Sequence, residues 1–190
     1  MKLYAARHGQ TIWNAQNRIC GRTEVELTEK GIEQAKILAA AVEKHPVDVI
    51  LSSPLKRARD TSRIIAEHNR IPMLVEDRLT EQNYGIYEGV DGKNPAFLDH
   101  KRHFAYRYPQ GESMMRVACR VYGLLDQIKE RYKGKNVLII SHGGVCRVIR
   151  TYFIDMTNEE FFRYTLGNGK IEEYEWPGYP SRAGEECRKP

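Results

Sequence analysis

Two histidines in this chain each end an apolar run and are followed directly by glycine. One lies in Ala6-Arg7-His8-Gly9 and the other in Ser141-His142-Gly143-Gly144. A third apolar run, Val49 to Ser53, leads into a segment that carries Arg57. If the three ends meet, two imidazoles and two guanidiniums share one place. Arginine forks match phosphate oxygens two at a time. An imidazole nitrogen held among phosphate ligands can act as a nucleophile and form a covalent intermediate. Glycine after each histidine leaves room for a ligand against the backbone. Taken singly, each residue has a blander explanation: a histidine at a strand end is more often structural or solvated, and Arg57 alone is a surface arginine. The combination points to an anion.

Other chemistries find less support. Ser-His-Gly-Gly alone resembles an oxyanion loop of lipases, but no G-x-S-x-G elbow occurs. There is no G-x-x-x-x-G-K-[ST] loop, no cysteine with arginine six positions on, and no H-E-x-x-H. No metal-ligand set is visible, and no cofactor is expected. His100 and His103 sit in an irregular polar stretch and are expected to be solvated. Cys20, Cys119, Cys146 and Cys187 form no C-x-x-C pair, so free thiols in a reducing compartment are expected.

The elements that position these residues follow from hydrophobic period. Residues 2–6 read as a strand, 47–52 as a strand buried on both faces, 72–75 as a short strand and 137–141 as another buried strand. Residues 28–44 read as a helix capped by Thr28, with Ile32, Ala35, Ala39 and Val42 inward. Ser53 and Pro54 read as the start of a helix reaching about His68. A helix from Ser113 to about Tyr132 is expected to bury Met115, Ala118, Tyr122, Leu125 and Ile128. Another follows His142 to about Phe153, and Thr157 with Glu160 forms a capping box for a shorter one. Residues 77–111 read as loop with a short helix near 94–106, and 169–176 as an edge strand. Alternating strands and helices predict an α/β three-layer sandwich: a mostly parallel central sheet, helices on both faces and one antiparallel edge strand. In such sheets ligands bind beyond the carboxyl ends of the strands, where the histidines lie.

The chain of 190 residues fits one domain, 1–190, with a loosely ordered tail after about 177. No run approaches the ~18 apolar residues of a membrane helix, and MKLYAARHG holds no signal-peptide core, so a cytoplasmic location is expected. A net charge of +5 is too modest to argue for nucleic acid. Lys56, Arg57, Arg59, Arg63 and Arg70 form either a solvated helix face or the surround of an anion site.

At this point the motifs are recognisable together. Arg7-His8-Gly9-Gln10-Thr11-x-Trp13-Asn14, then Cys20-Gly21-Arg22-Thr23 and Glu26-Leu27-Thr28, open the series. Ser52-Ser53-Pro54-Leu55-x-Arg57-Ala58-x-x-Thr61 follows, then Leu79-x-Glu81-x-x-Tyr84-Gly85-x-x-Glu88-Gly89. Gly111-Glu112-Ser113 and Ser141-His142-Gly143-Gly144 complete it. In this order the chain resembles the histidine phosphatase superfamily, also called the phosphoglycerate mutase-like family. The resemblance implies that His8 is the phosphorylated nucleophile. It implies that Arg7, Arg57 and His142 bind phosphate with Asn14, and that Gly21, Tyr84 and Gly143 touch ligand. It implies that Glu81 is the proton donor and later the base; the residues alone do not single out Glu81 among the carboxylates.

Three functions stay open: a phosphatase acting on a small phosphorylated metabolite, a phosphoglycerate mutase, and a non-enzymatic phospho-ligand module. Only about 20 residues, Val90 to Pro109, separate the third motif from Gly111-Glu112-Ser113, which is short for a mutase of this family. Lys93, Lys101, Arg102 and Arg107 in that stretch are expected to be solvated loop charges. No nucleic-acid or membrane partner is expected, and a homodimer is compatible with the sequence.

Overall fold

The apolar runs become the strands of one sheet in the computed structural model, which describes residues 1–176. The strands are β1 (Lys2–Arg7), β2 (Val49–Ser52), β3 (Met73–Val75), β4 (Val137–Ser141) and β5 (Ile171–Glu175). Their order is β3-β2-β4-β1-β5. The first four neighbours run parallel and β5 runs antiparallel to β1. Register aligns the ends that matter. Arg7 pairs with Ser141, and Ser52 pairs with Ile140. His8, His142 and Ser53 therefore leave the sheet at nearly the same level.

Helices α2 (Glu29–Val42) and α3 (Lys56–Asn69) cover one face. Their Leu38, Ala39, Val42, Ala58 and Ile65 pack on Tyr4, Ala6, Ile50, Leu138 and Ile140. Helices α5 (Met114–Arg131) and α6 (Gly143–Phe153) cover the other, against Leu3, Ala5, Leu51, Val137 and Ile139. Alternate residues of each inner strand thus feed two cores, the reason these strands read as unbroken apolar runs. Shorter helices are α1 (Ile12–Ala15), α4 (Pro95–His100) and α7 (Asn158–Arg163). The expected three-layer α/β architecture is present. No helix among the described residues is long and apolar enough to cross a membrane.

Several local expectations shift. Ser53 does not cap a helix that starts at Pro54. The helix begins at Lys56, and the Ser53 hydroxyl accepts from the Leu55 N–H while facing His142. Ile32 is exposed, and Gly31, Ala35, Leu38, Ala39 and Val42 point inward. On α5 the buried stripe runs through Met114, Val117, Val121 and Leu124, so Met115 faces out at 61% exposure. A stripe read one residue out of phase still shares Leu125 and Ile128. The 94–106 helix ends at His100, and the Thr157–Glu160 capping box forms as expected. The expectation for the tail, like Cys187, lies outside the described residues; Cys20, Cys119 and Cys146 are free thiols.

The segment from Tyr84 to Tyr108 packs with Ile19 around its own small core of Phe97 and Tyr108. Within it His100 is not solvated, because its ring stacks on Tyr108 at 4.4 Å. Lys93, Arg102 and Arg107 are exposed as expected, but Lys101 is partly buried with its ammonium 4.9 Å from the Phe162 ring centre.

Candidate active site

The strand ends converge as the register requires. His8 follows β1, His142 caps α6 after β4, and Arg57 sits in the first turn of α3. The Arg57 Nε lies 3.2 Å from His8 Nε2 and 3.2 Å from His142 Nδ1. Its other nitrogens donate to the carbonyls of Gly21 (2.6 Å) and Thr23 (3.0 Å). This guanidinium is fully buried and meets no carboxylate among the described residues. A buried cation without a counter-ion is costly unless an anion arrives.

The imidazole tautomers follow from their partners. His8 Nδ1 is 2.7 Å from the Gly9 carbonyl, which only accepts, so Nδ1 carries the proton and Nε2 keeps its lone pair. That is the form a nucleophile needs. His142 Nδ1 accepts from Arg57, so its Nε2–H donates to the Ser53 hydroxyl at 2.7 Å. Burial pushes both imidazoles well below the ordinary histidine range, and the Arg57 charge pushes them further. Both are therefore neutral.

Arg7 completes the cationic group. Its Nη1 holds the Leu166 carbonyl at 3.0 Å, and its buried Nε has no partner among the described residues. Gly143 lies against this guanidinium, with room for a Cβ only at 3.5 Å from Cζ. Gly144 has no such room: a Cβ there would stand 2.5 Å from Glu81 Oε1. The reason is that Glu81, itself buried, accepts from the Gly144 N–H at 2.9 Å and from the Gln82 N–H at 2.8 Å. A carboxylate at the first turn of α6 also meets the positive end of that helix. Gly9 has a different reason from the one expected. A Cβ there would strike the Gly31 carbonyl at 2.2 Å, so Gly9 serves packing against α2 and not ligand approach.

Gly21 lies against Tyr84, and Asn14 shares Asn168 with the His8 carbonyl. Asn14 Oδ1 accepts from the Thr11 N–H and from Asn168 Nδ2. Gly21 supplies a carbonyl to Arg57, and Tyr84 packs edge-on against Phe97 and Tyr108. Three residues given no role from the sequence support the rest. Asn168 bridges the His8 carbonyl and Asn14. Thr61 accepts from the Gly9 N–H and donates to the Arg57 carbonyl. The Glu88 carboxylate accepts from the N–H groups of Gly21, Arg22 and Thr23 and from the Thr23 hydroxyl. Thr61 and Glu88 fall inside the motif blocks, and that was the available signal; nothing local marks Asn168. No cluster of His, Cys, Asp and Glu able to hold a metal ion occurs among the described residues.

Comparison with known proteins identifies the family. The family model described as the histidine phosphatase superfamily (branch 1) matches residues 3–183. A probable phosphoglycerate mutase (GpmB) of Yersinia pestis strain Pestoides F is 35% identical over 187 residues, 95% of this chain and 87% of its own length. The structure of the α-ribazole phosphatase of Shigella flexneri superposes with a TM-score of 0.80 at 25% identity, covering 94% of this chain and 92% of that one. A mycobacterial glucosyl-3-phosphoglycerate phosphatase complexed with VO3 gives 0.81 at 27% identity, over 90% and 91%. With the family model spanning nearly the whole chain, the chain belongs to branch 1 of the histidine phosphatase superfamily.

Proposed function

We propose that this protein hydrolyses a small phosphomonoester through a phosphohistidine formed on His8. The observation that carries the reading is the His8 ring itself, with its proton held on Nδ1 by Gly9 and its Nε2 lone pair beside Arg57. In the first step Nε2 attacks phosphorus in line, a P–N bond forms, and the ester P–O bond breaks. Arg7 and Arg57 stabilise the equatorial oxygens, with Asn14, Gly21, Tyr84, His142 and Gly143 around them. Glu81, in its protonated form, gives its proton to the departing alkoxide. In the second step water attacks the phosphoryl group, Glu81 takes its proton, and inorganic phosphate leaves with His8 restored. The arginines supply the positive charge that magnesium supplies in other phosphoryl transfers, and no cofactor enters the cycle. Free thiols fit a reducing, cytoplasmic setting.

A phosphoglycerate mutase reading is favoured by the name of the Yersinia relative. A mutase must shield its phosphohistidine from water, and the segment from Val90 to Pro109 offers little to do so. The experiment is release of inorganic phosphate from nitrophenyl phosphate in excess EDTA, run beside an assay for interconversion of 2- and 3-phosphoglycerate primed with bisphosphoglycerate. Chelator-resistant phosphate release with little interconversion is expected. Activity lost to EDTA and restored by a divalent ion would overturn the metal-free cycle. Isomerisation outrunning phosphate release would favour the mutase.

A further inference from the structure

The amide of Asn14 has two ends, and its surroundings decide which of them stays free. Its Oδ1 accepts from the Thr11 N–H at 3.1 Å and from Asn168 Nδ2 at 3.2 Å. Its Nδ2 has no partner among the described residues, and the side chain is half-buried. A free NH2 donates to an anion, whereas a free amide oxygen in its place repels one.

The Thr11 bond is local. It belongs to the capping box of α1, a helix of 4 residues, and a single turn holds weakly by itself. Asn168 supplies the tertiary half. Its own orientation is settled by the nucleophile. Asn168 Nδ2 stands 3.0 Å from the His8 carbonyl and 3.4 Å from the Gly9 carbonyl, and carbonyls only accept. The atom facing them must therefore be the NH2, whose second hydrogen is left for Asn14 Oδ1. Asn168 is also held in register with β1. The Gly169 N–H donates to the Arg7 carbonyl at 3.0 Å, and the Arg7 N–H donates to the Lys170 carbonyl at 3.1 Å. On the other side of Asn168, the Leu166 carbonyl accepts from Arg7 Nη1 at 3.0 Å. The chain flanking Asn168 is thus tied to Arg7, and its side chain to His8.

We propose that Asn168 is a positioning residue: anchored on the His8 carbonyl, it holds the Asn14 oxygen and keeps the Asn14 NH2 available to incoming phosphate. It acts through Asn14 and touches no reacting atom. This rests on the reading of the His8 pocket as a phosphate site.

The test is a double-mutant cycle on the binding of inorganic phosphate, measured by calorimetry with native protein, Asn14→Ala, Asn168→Ala and the double variant. Asn14→Ala should weaken phosphate by about tenfold, the scale of a hydrogen bond to a charged group. Asn168→Ala leaves only the Thr11 bond and should weaken phosphate by about fivefold, yet add nothing in the Asn14→Ala background. A merely structural role for Asn168 would lower affinity alike in both backgrounds. Asn168→Asp keeps the size of the side chain and reverses the bond, because a carboxylate captures the Asn14 NH2 and turns its oxygen outward. Its added charge is read separately in the Asn14→Ala background, and its loss in the native background should exceed that by about tenfold. The Asp cycle decides if urea unfolding shows that Asn168→Ala does not fold. Native affinity in Asn168→Ala, equal losses in both backgrounds, or no saturable phosphate binding by native protein overturns the positioning role. Phosphate binding needs no turnover. A protein that shows the coupling but releases no phosphate from nitrophenyl phosphate therefore overturns the hydrolytic reading and leaves the role of Asn168 standing.

Discussion

The Nε–H of Arg57 is directed at His8 Nε2 from 3.2 Å, the nitrogen that attacks phosphorus in the proposed cycle. Without substrate the arginine therefore caps the nucleophile and keeps it unprotonated. An arriving phosphate oxygen offers a charged acceptor in place of a neutral one, and the stronger charge-assisted bond frees the lone pair at the moment it is needed. This exchange works only if Arg57 stays fixed, and the carbonyls of Gly21 and Thr23 fix it.

Those carbonyls depend in turn on Glu88, whose carboxylate gathers the N–H groups of residues 21–23. Glu88→Gln should destabilise the fold by roughly 1–3 kcal/mol, the usual loss when hydrogen bonds to a charged group are weakened. It should also lower kcat, because Arg57 loses its rigid mount. Urea unfolding and steady-state kinetics measure the two effects. Native values for both would show that the 21–23 loop holds Arg57 without Glu88.

Glu81→Gln should slow phosphorylation of His8 by ~10²–10⁴-fold, the range for losing a general acid. The amide keeps the size of the side chain and an acceptor for the Gly144 N–H but cannot deliver the proton. The loss should shrink for nitrophenyl phosphate, whose leaving group needs little help, and grow for an alkyl ester. Burst kinetics isolate this half-reaction from dephosphorylation. Equal losses for both esters would remove Glu81 from the role of acid.

Acid should destabilise this protein through its two neutral imidazoles. In the folded state burial and Arg57 hold His8 and His142 well below the ordinary range. In the unfolded chain both protonate near pH 6.5. Below that pH the unfolded state binds more protons, so their contribution is full above about 6.5 and is lost as pH falls toward the folded values. Each histidine adds up to about 1.4 kcal/mol per pH unit to that slope. Urea unfolding of native protein and His8→Asn from pH 7.5 to 5.5 should show the variant losing less. Equal slopes would mean that His8 is not held neutral.

Much of this site was legible in the sequence because its chemistry sits at strand ends, and buried parallel strands announce themselves as apolar runs. His8, His142 and Arg57 follow such runs within a few residues, so the sheet itself predicted their meeting. Glu81 did not announce itself, since it follows a turn in an irregular stretch and is fixed, among the described residues, by the amides of Gln82 and Gly144. Asn168 was invisible for a similar reason. It acts across 160 positions of chain, through β5 docking antiparallel beside β1. Lys101 was read as a loop charge because its burial and its place over Phe162 are tertiary facts with no local pattern. The phase error on α5 arose because Met115 and Tyr122 fit an apolar stripe as well as Met114 and Val121 do; the sheet decides between them.

The most direct test is the covalent state of His8. Native protein and His8→Ala are mixed briefly with ³²P-labelled phosphomonoester, quenched in base, digested and sequenced. Native protein should carry acid-labile, base-stable label on the peptide holding His8, appearing no slower than phosphate release. His8→Ala should carry none and should lose essentially all turnover. Turnover retained in His8→Ala, or label on any other residue, would contradict a phosphohistidine at His8.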